Sequence, residues 1–256
     1  MGSSLRSPAV DPTSALAVLG ETAAAIVAAL GGLDDWGLAG TRAGQYRSDL
    51  AADEAGLAVL DAAGVGVLSE ESGRHHDERA VTVVLDPLDG STNASRGIPW
   101  FATSLCAVDE HGPLAALVVN LPTKQRFTAT RGGGAFLDGE PVRASGATEF
   151  RHSLVALSGM PPRYLGWKQY RALGAAALDL CAVAAGVVDA YLDCSASAHG
   201  PWDYLGGLLV CQEVGVPVVD AEGRELVVLE HSARRTPVAA ATPQLLEQLL
   251  AARSSF

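Results

Sequence analysis

The sequence predicts a protein of mixed helix and strand, of the α+β or α/β class, on three observations. Apolar residues recur at helical spacing early in the chain, over 13–30 and 49–63,. Short β-branched runs broken by turn residues follow, between 66 and 129,. After Ser145, longer helical stretches alternate with short strands, which divides the chain into 1–145 and 146–256,. With 256 residues, 48% of them hydrophobic, the chain has enough apolar surface for one large domain or for two such halves,.

The first helix, Thr13 to Leu30, is rich in Ala and Leu, and the second, Asp49 to Ala63, opens with an acidic turn,. Beyond Gly64, VGVLSEES and VTVVLD (81–86) are short strands that each end on carboxylates, as strands do when they feed a site at their C-terminal ends,. ATSLCAV, LAALVVN and RFTA, separated by DEHGP and LPTK, read as an antiparallel meander, and RGGGAFLDGEPVRAS adds a Gly-rich hairpin,. Its triple glycine, 132–134, opens a hairpin and not a helix, which argues against dinucleotide binding. Helices are expected over 170–188 and 203–214, strands at VPVV, ELVVL and TPVAAA, and a closing amphipathic helix from Pro243 to Ala252,.

The formal charge is −11, and no Lys/Arg-rich run stands out that would neutralise several phosphates at once,. Nucleic acid and anionic membranes are therefore not expected partners. An acidic chain still binds a phosphorylated small molecule where its carboxylates hold divalent cations. Cys106, Cys181, Cys194 and Cys211 occur singly, without zinc or dithiol spacing, and are expected to be reduced core residues,. The opening MGSSLRSPAVDP lacks an apolar run beside a basic region, and Gly20, Glu21 and Thr22 interrupt the segment from Ala15 to Leu30,. A cytoplasmic, soluble protein is expected.

The most informative stretch is LDPLDGSTNASRGIPW, residues 85–100. Pro87 fixes its own backbone and biases Asp86 away from helix, so that Asp86, Asp89 and the Leu88 carbonyl can turn toward one point. Gly90, Ser91 and Thr92 follow as candidates to start a helix whose backbone N–H groups face an anion. Carboxylates for a hard cation thus lie beside amides for a phosphate. A plain solvated turn is the competing reading of DPLDG. An EF-hand loop is excluded because, counting Asp86 as the first position, Gly90 is fifth where that loop needs its Gly sixth, and Gly97 stands twelfth where it needs Glu,.

Three segments, SEESG at 69–73, DPLDGSTN at 86–93 and WDYLGG at 202–207, occur in an order that resembles the inositol monophosphatases and their relatives. The likeness extends to GGGAFLDGEPVRAS and RALGAAALDLCAVAAGVVDAYLD. It implies the layered αβαβα sandwich of the sugar phosphatases, a homodimer, and dependence on Mg2+, with two or three ions. By resemblance, Glu70, Asp86 and the Leu88 carbonyl bind one ion, and Asp86, Asp89 and Asp203 bind a second. Asp53 matches the acid near the nucleophilic water and Ser91 its assisting hydroxyl, although Leu50 stands where the family has Thr. Asp193 matches an acid that contacts substrate hydroxyls, set three residues further from Asp203 than in the family. Gly174 and Ala175 fall where the family often has Gly-Thr against the substrate.

The implied activity is hydrolysis of a small polyol or sugar phosphate, inositol 1-phosphate first, by direct attack of metal-activated water and with sensitivity to lithium. Relatives acting on histidinol phosphate, fructose 1,6-bisphosphate or 3′-phosphoadenosine 5′-phosphate share the metal motif, and a non-catalytic protein- or RNA-binding regulator is the alternative of another class. Two ions sharing four carboxylates leave open positions for phosphate and nucleophile, which supports the hydrolytic reading independently. Glu71 is expected outside the metal shell, His75 and His76 in a solvated loop, and His199 either near the leaving group or in a loop without function.

Overall fold

The computed structural model describes residues 11–41 and 44–254; the expectation for the first ten residues lies outside them. Helix α1, Pro12–Gly31, begins where Asp11 accepts hydrogen bonds from the backbone N–H groups of Thr13 and Ser14, both at 3.0 Å, with Pro12 in the first turn,. It is long and apolar enough by composition to cross a membrane, but Leu19 and Ile26 are fully buried against helix α2 (Arg47–Ala62) and the first sheet.

That sheet has eight strands: β1 Gly66–Ser69, β2 Gly73–His75, β3 Thr82–Asp89, β4 Ala102–Asp109, β5 Gly112–Asn120, β6 Arg126–Thr130, β7 Gly134–Leu137 and β8 Glu140–Pro141. Their order is β2-β1-β3-β4-β5-β6-β7-β8, antiparallel except for the β1/β3 pair. The short helix α3, Ser91–Arg96, joins β3 to β4. The second sheet has the order β10-β9-β11-β13-β12 and is built from β9 Leu154–Ser158, β10 Gln169–Arg171, β11 Ala190–Asp193, β12 Val218–Asp220 and β13 Pro237–Ala240. Residue 145 lies between the two sheets in sequence.

Helices α4 (Ala176–Ala184) and α5 (Pro201–Glu213) fill the space between the sheets, and α6 (Pro243–Arg253) covers the outer face of the second. The layers run α1/α2, first sheet, α4/α5, second sheet, α6: the αβαβα sandwich. Each apolar strand feeds two cores because successive side chains alternate faces. In β3, Val83 and Leu85 enter the α1/α2 core while Val84 enters the α4/α5 core; in β11, Ala190 and Leu192 face α6 and Tyr191 faces α4/α5.

Helix α5 approaches its neighbours closely through the two glycines of WDYLGG. A Cβ on Gly206 would stand 2.6 Å from Ser104 Oγ, and one on Gly207 2.6 Å from Leu180 Cβ. The motif's glycines therefore let one helix touch both α4 and the first sheet.

Four expectations change. The helix expected over 170–188 is only Ala176–Ala184, because residues 169–171 pair with β9 and Gly174 takes a left-handed φ of 85°,. ELVVL forms no strand; Leu226 is buried and its carbonyl accepts the Tyr204 hydroxyl at 2.7 Å instead of a strand partner. Strands β9 and β11 were not anticipated from the sequence. His75 closes strand β2, paired with Val67, so it is not in a loop.

Candidate active site

Strand β3 carries two acids on one face although they are three residues apart. Regular alternation would send Asp86 and Asp89 to opposite faces. Here Asp86 pairs with Ser104 and Asp89 with Ala102, so β3 spends one more residue than β4 between these pairs, a bulge at Pro87-Leu88,. Leu88 consequently points into the α1/α2 core, and both carboxylates face α4/α5. The bulge is held by Leu88 N–H donating to Asp86 Oδ1 at 3.0 Å and by Thr103 Oγ1 donating to the Pro87 carbonyl at 2.9 Å.

Asp89 Oδ2 accepts the Ala177 N–H of the first α4 turn at 2.8 Å, which uses one carboxylate oxygen and the positive end of that helix,. Asp203, in the first turn of α5, accepts the Gly200 N–H at 2.7 Å,. Glu70 follows the end of β1; its N–H donates to the Leu85 carbonyl at 3.1 Å and its carbonyl meets His231 Nε2 at 3.1 Å. Glu70 is the neighbouring charge that acts most strongly on Asp86.

Electrostatics join these acids. Burial, then Asp203, Glu71 and Asp49, push Glu70 up to about 8. Burial, then Glu70, Asp89 and Asp203, hold Asp86 well above the usual carboxylate range. Asp89 is raised likewise, by burial, Asp203 and Asp179, against the Ala177 N–H and His199. Like charges this close keep protons unless a cation replaces them. Among the described residues no three His, Cys, Asp or Glu side chains already form a closed ligand cage. The donor set nonetheless suits Mg2+: hard carboxylate oxygens that burial and mutual repulsion make costly to ionise without a cation,.

Asp53 is buried on α2 and accepts the Ser69 hydroxyl; Ser69 Oγ in turn accepts the Glu71 N–H at 3.1 Å. Glu71 accepts from Gln45 Nε2. Gly90, with φ 85°, caps α3, and a Cβ there would come within 3.1 to 3.3 Å of the Gly174 and Trp100 carbonyls and of Ala175 Cβ. The DPLDG turn and the Gly174-Ala175 turn thus touch through a glycine. Asn93 Nδ2 ties them further, donating to the Trp100 and Leu173 carbonyls, both at 2.7 Å. Ser91 is half-buried at the start of α3, and Thr92 is exposed, 3.5 Å from Tyr46 Oη; among the described residues neither bonds to the four acids.

Beside Asp89 and Asp203 opens a cavity of about 140 Å³, walled also by Gly174, Ala175, Ser158, Tyr191, Asp179 and His199. Asp193 ends β11 fully buried and does not line it. Two buried acids escaped the sequence reading as site residues. Asp49 lies one helical turn before Asp53, and it is the α2 acid whose charge raises Glu70. Asp179 accepts the Trp100 indole N–H at 2.9 Å, and burial pushes it up to about 7. A lone Asp inside the apolar run GAAALDLCAVAA was the available signal for the second.

The family model of the inositol monophosphatase family matches residues 49–255, which include all four acids. A fructose-1,6-bisphosphatase/inositol-1-monophosphatase of Thermococcus kodakarensis is 35% identical over 209 residues, 80% of each chain. The Nus factor SuhB of Salmonella typhimurium is 31% identical over 201 residues, 72% of each. A solved structure from Pyrococcus horikoshii, described as having similarities to inositol-1 monophosphatase, superposes with a TM-score of 0.81 at 26% identity, covering 94% of this chain and 96% of that one. The chain belongs to the inositol monophosphatase family and is a phosphatase of that family.

Proposed function

We propose that the protein is a Mg2+-dependent phosphomonoesterase acting on a small polyol or sugar phosphate, inositol 1-phosphate first. The observation that carries this is the convergence of Glu70, Asp86, Asp89 and Asp203 beside a small cavity that Asp89 and Asp203 line, with Glu70, Asp86 and Asp89 raised by burial and then by their acidic neighbours. Glu70, Asp86 and Asp89 come from 1–145 and Asp203 from 146–256, so neither half holds the set alone.

In this reading the four carboxylates and the Leu88 carbonyl hold two or three Mg2+ ions. Bound there, Mg2+ supplies positive charge to the phosphate oxygens and lowers the proton affinity of water. Glu70 and Asp53 orient the attacking water, with Ser69 fixing Asp53 and Ser91 assisting from the start of α3,. Gly90, Ser91 and Thr92 present backbone N–H groups to the phosphate, and Gly174, Ala175 and Asp193 shape the leaving-group side. We further read the enzyme as a cytoplasmic homodimer inhibited by lithium.

Histidinol phosphate, fructose 1,6-bisphosphate and 3′-phosphoadenosine 5′-phosphate are the competing substrates, and the relative named fructose-1,6-bisphosphatase/inositol-1-monophosphatase favours testing the second of them early. The relative named Nus factor SuhB favours a second reading, a non-catalytic protein- or RNA-binding regulator. Phosphate release from a panel of these esters, with Mg2+ and with chelator, decides between them: Mg2+-dependent release is expected, and silence on every ester leaves the regulator.

A further inference from the structure

The leaving-group side of the cavity contains an arrangement that the family motifs do not describe. Cys194 to Gly200 connects β11 to α5, and its far end is pinned by paired backbone hydrogen bonds between His199 and Arg235, at 3.2 and 2.8 Å. This delivers the His199 ring into the cavity wall. Nδ1 lies 3.3 Å from Asp203 Oδ2, while Nε2 lies 3.0 Å from Tyr191 Oη and 3.1 Å from Ser158 Oγ.

Asp193 lies behind this ring. Its Oδ1 accepts both the N–H and the hydroxyl of Ser195, at 2.8 and 2.5 Å. Its Oδ2 is buried without a hydrogen bond, 3.6 Å from His199 Nε2. The ring therefore stands at the cavity with Asp193 sealed off from it, and the carboxylate's free oxygen faces the ring.

We propose that His199, with the Tyr191 and Ser158 hydroxyls, reads the hydroxyl groups of the departing alcohol, and that Asp193 is a positioning residue that fixes the imidazole. The proposal rests on the phosphatase reading above and deepens it by naming what recognises the alcohol. Each of the two hydroxyls offers one donor and two lone pairs, and imidazole Nε2 can satisfy only one of its close oxygens as a donor. Spare donors and acceptors are then left for a ligand, which suits an alcohol carrying further hydroxyls and offers nothing to an unadorned aryl group. Asp179, lining the same cavity with Oδ1 held by Trp100, adds a further carboxyl oxygen to its wall.

The test compares kcat/KM for inositol 1-phosphate with that for p-nitrophenyl phosphate, whose leaving group has no second hydroxyl, in saturating Mg2+. His199→Ala is expected to lower the ratio of the two about tenfold, the loss of one or two hydrogen bonds, mostly through KM. His199→Gln, which can return an amide near Nε2, is expected to recover part of it. Asp193→Asn should reproduce part of the loss and shift the His199 ring nitrogen resonances in NMR spectra, which a residue acting only on stability would not do.

An unchanged ratio in His199→Ala overturns the proposal, as does a loss confined to Asp193→Asn. Failure of the wild type to hydrolyse either ester would instead strike the phosphatase reading. In that case calorimetric titration of inositol 1-phosphate in Mg2+ reads the same tenfold change in Kd, and a Kd equal in wild type and His199→Ala, or no binding at all, overturns the proposal.

Discussion

Removing divalent cations should make this protein lose stability as pH rises, the reverse of what an ordinary ion-paired carboxylate does. A carboxyl raised in the folded state binds more protons folded than unfolded, so stability falls with rising pH between the two pKa values. For Glu70 that window runs from 4.5 to about 8. Across it the folded state loses up to about 5 kcal/mol, of which roughly half falls between pH 6 and 8,. Solvent reaches part of the side chain, which makes about 2 kcal/mol the working figure,. In a chain of this size that is a fall in Tm of about 4–8 °C. Asp86 and Asp89 act in the same direction. Mg2+ at about 100 times its Kd returns about 2.7 kcal/mol at the alkaline end and much less where the acids keep their protons.

Thermal melts at about pH 6 and about pH 9, in chelator and in Mg2+, measure this, with Glu70→Gln as a control that cannot titrate there and should make the chelator curve shallower, Asp86 and Asp89 keeping the remainder of the slope,. A chelated protein equally stable at both pH values, or a Mg2+ shift of the same size at both, would refute the account of these acids as a cation site.

Asp89→Asn keeps an oxygen for the Ala177 N–H and removes a buried charge, so it should raise the Tm in chelator at alkaline pH while lowering kcat/KM by on the order of 10³,; calorimetry and ester hydrolysis read the two effects. Gly207→Ala drives a methyl into Leu180 and the Ala177 carbonyl, and denaturant melts should show a loss of about 1–3 kcal/mol,. Asp179→Asn retains an acceptor for Trp100 but not the buried acid, and at about pH 8 should gain on the order of 2 kcal/mol in the same melts,.

The parts legible in the sequence are those with a period or a motif. α1, α2 and the β4–β6 meander announce themselves by spacing, whereas β9 and β11 are short buried apolar runs that carry no period to separate them from helix,. At the candidate site, Asp86, Asp89 and Asp203 come with recognisable neighbours, and the structure brings them together with Glu70. Asp53 lies a turn beyond Asp49, the α2 acid felt by Glu70, and α2 alone gives no way to rank two buried acids on one face. The place of His199 depends on a loop closing onto Arg235, a pairing made in space and invisible in local sequence.

The bulge at Pro87-Leu88 divides the molecule by what its length will tolerate. Removing one residue there would restore regular alternation and turn Asp89 to the opposite side of the sheet, taking with it the anchor of α4,. The connection from Cys194 to Gly200 holds no such phase, since its ends are fixed separately by β11 and by the Arg235 pairing. Changes of length are therefore tolerated in one loop beside the cavity, while the spacing of the two β3 acids admits substitution but no insertion or deletion.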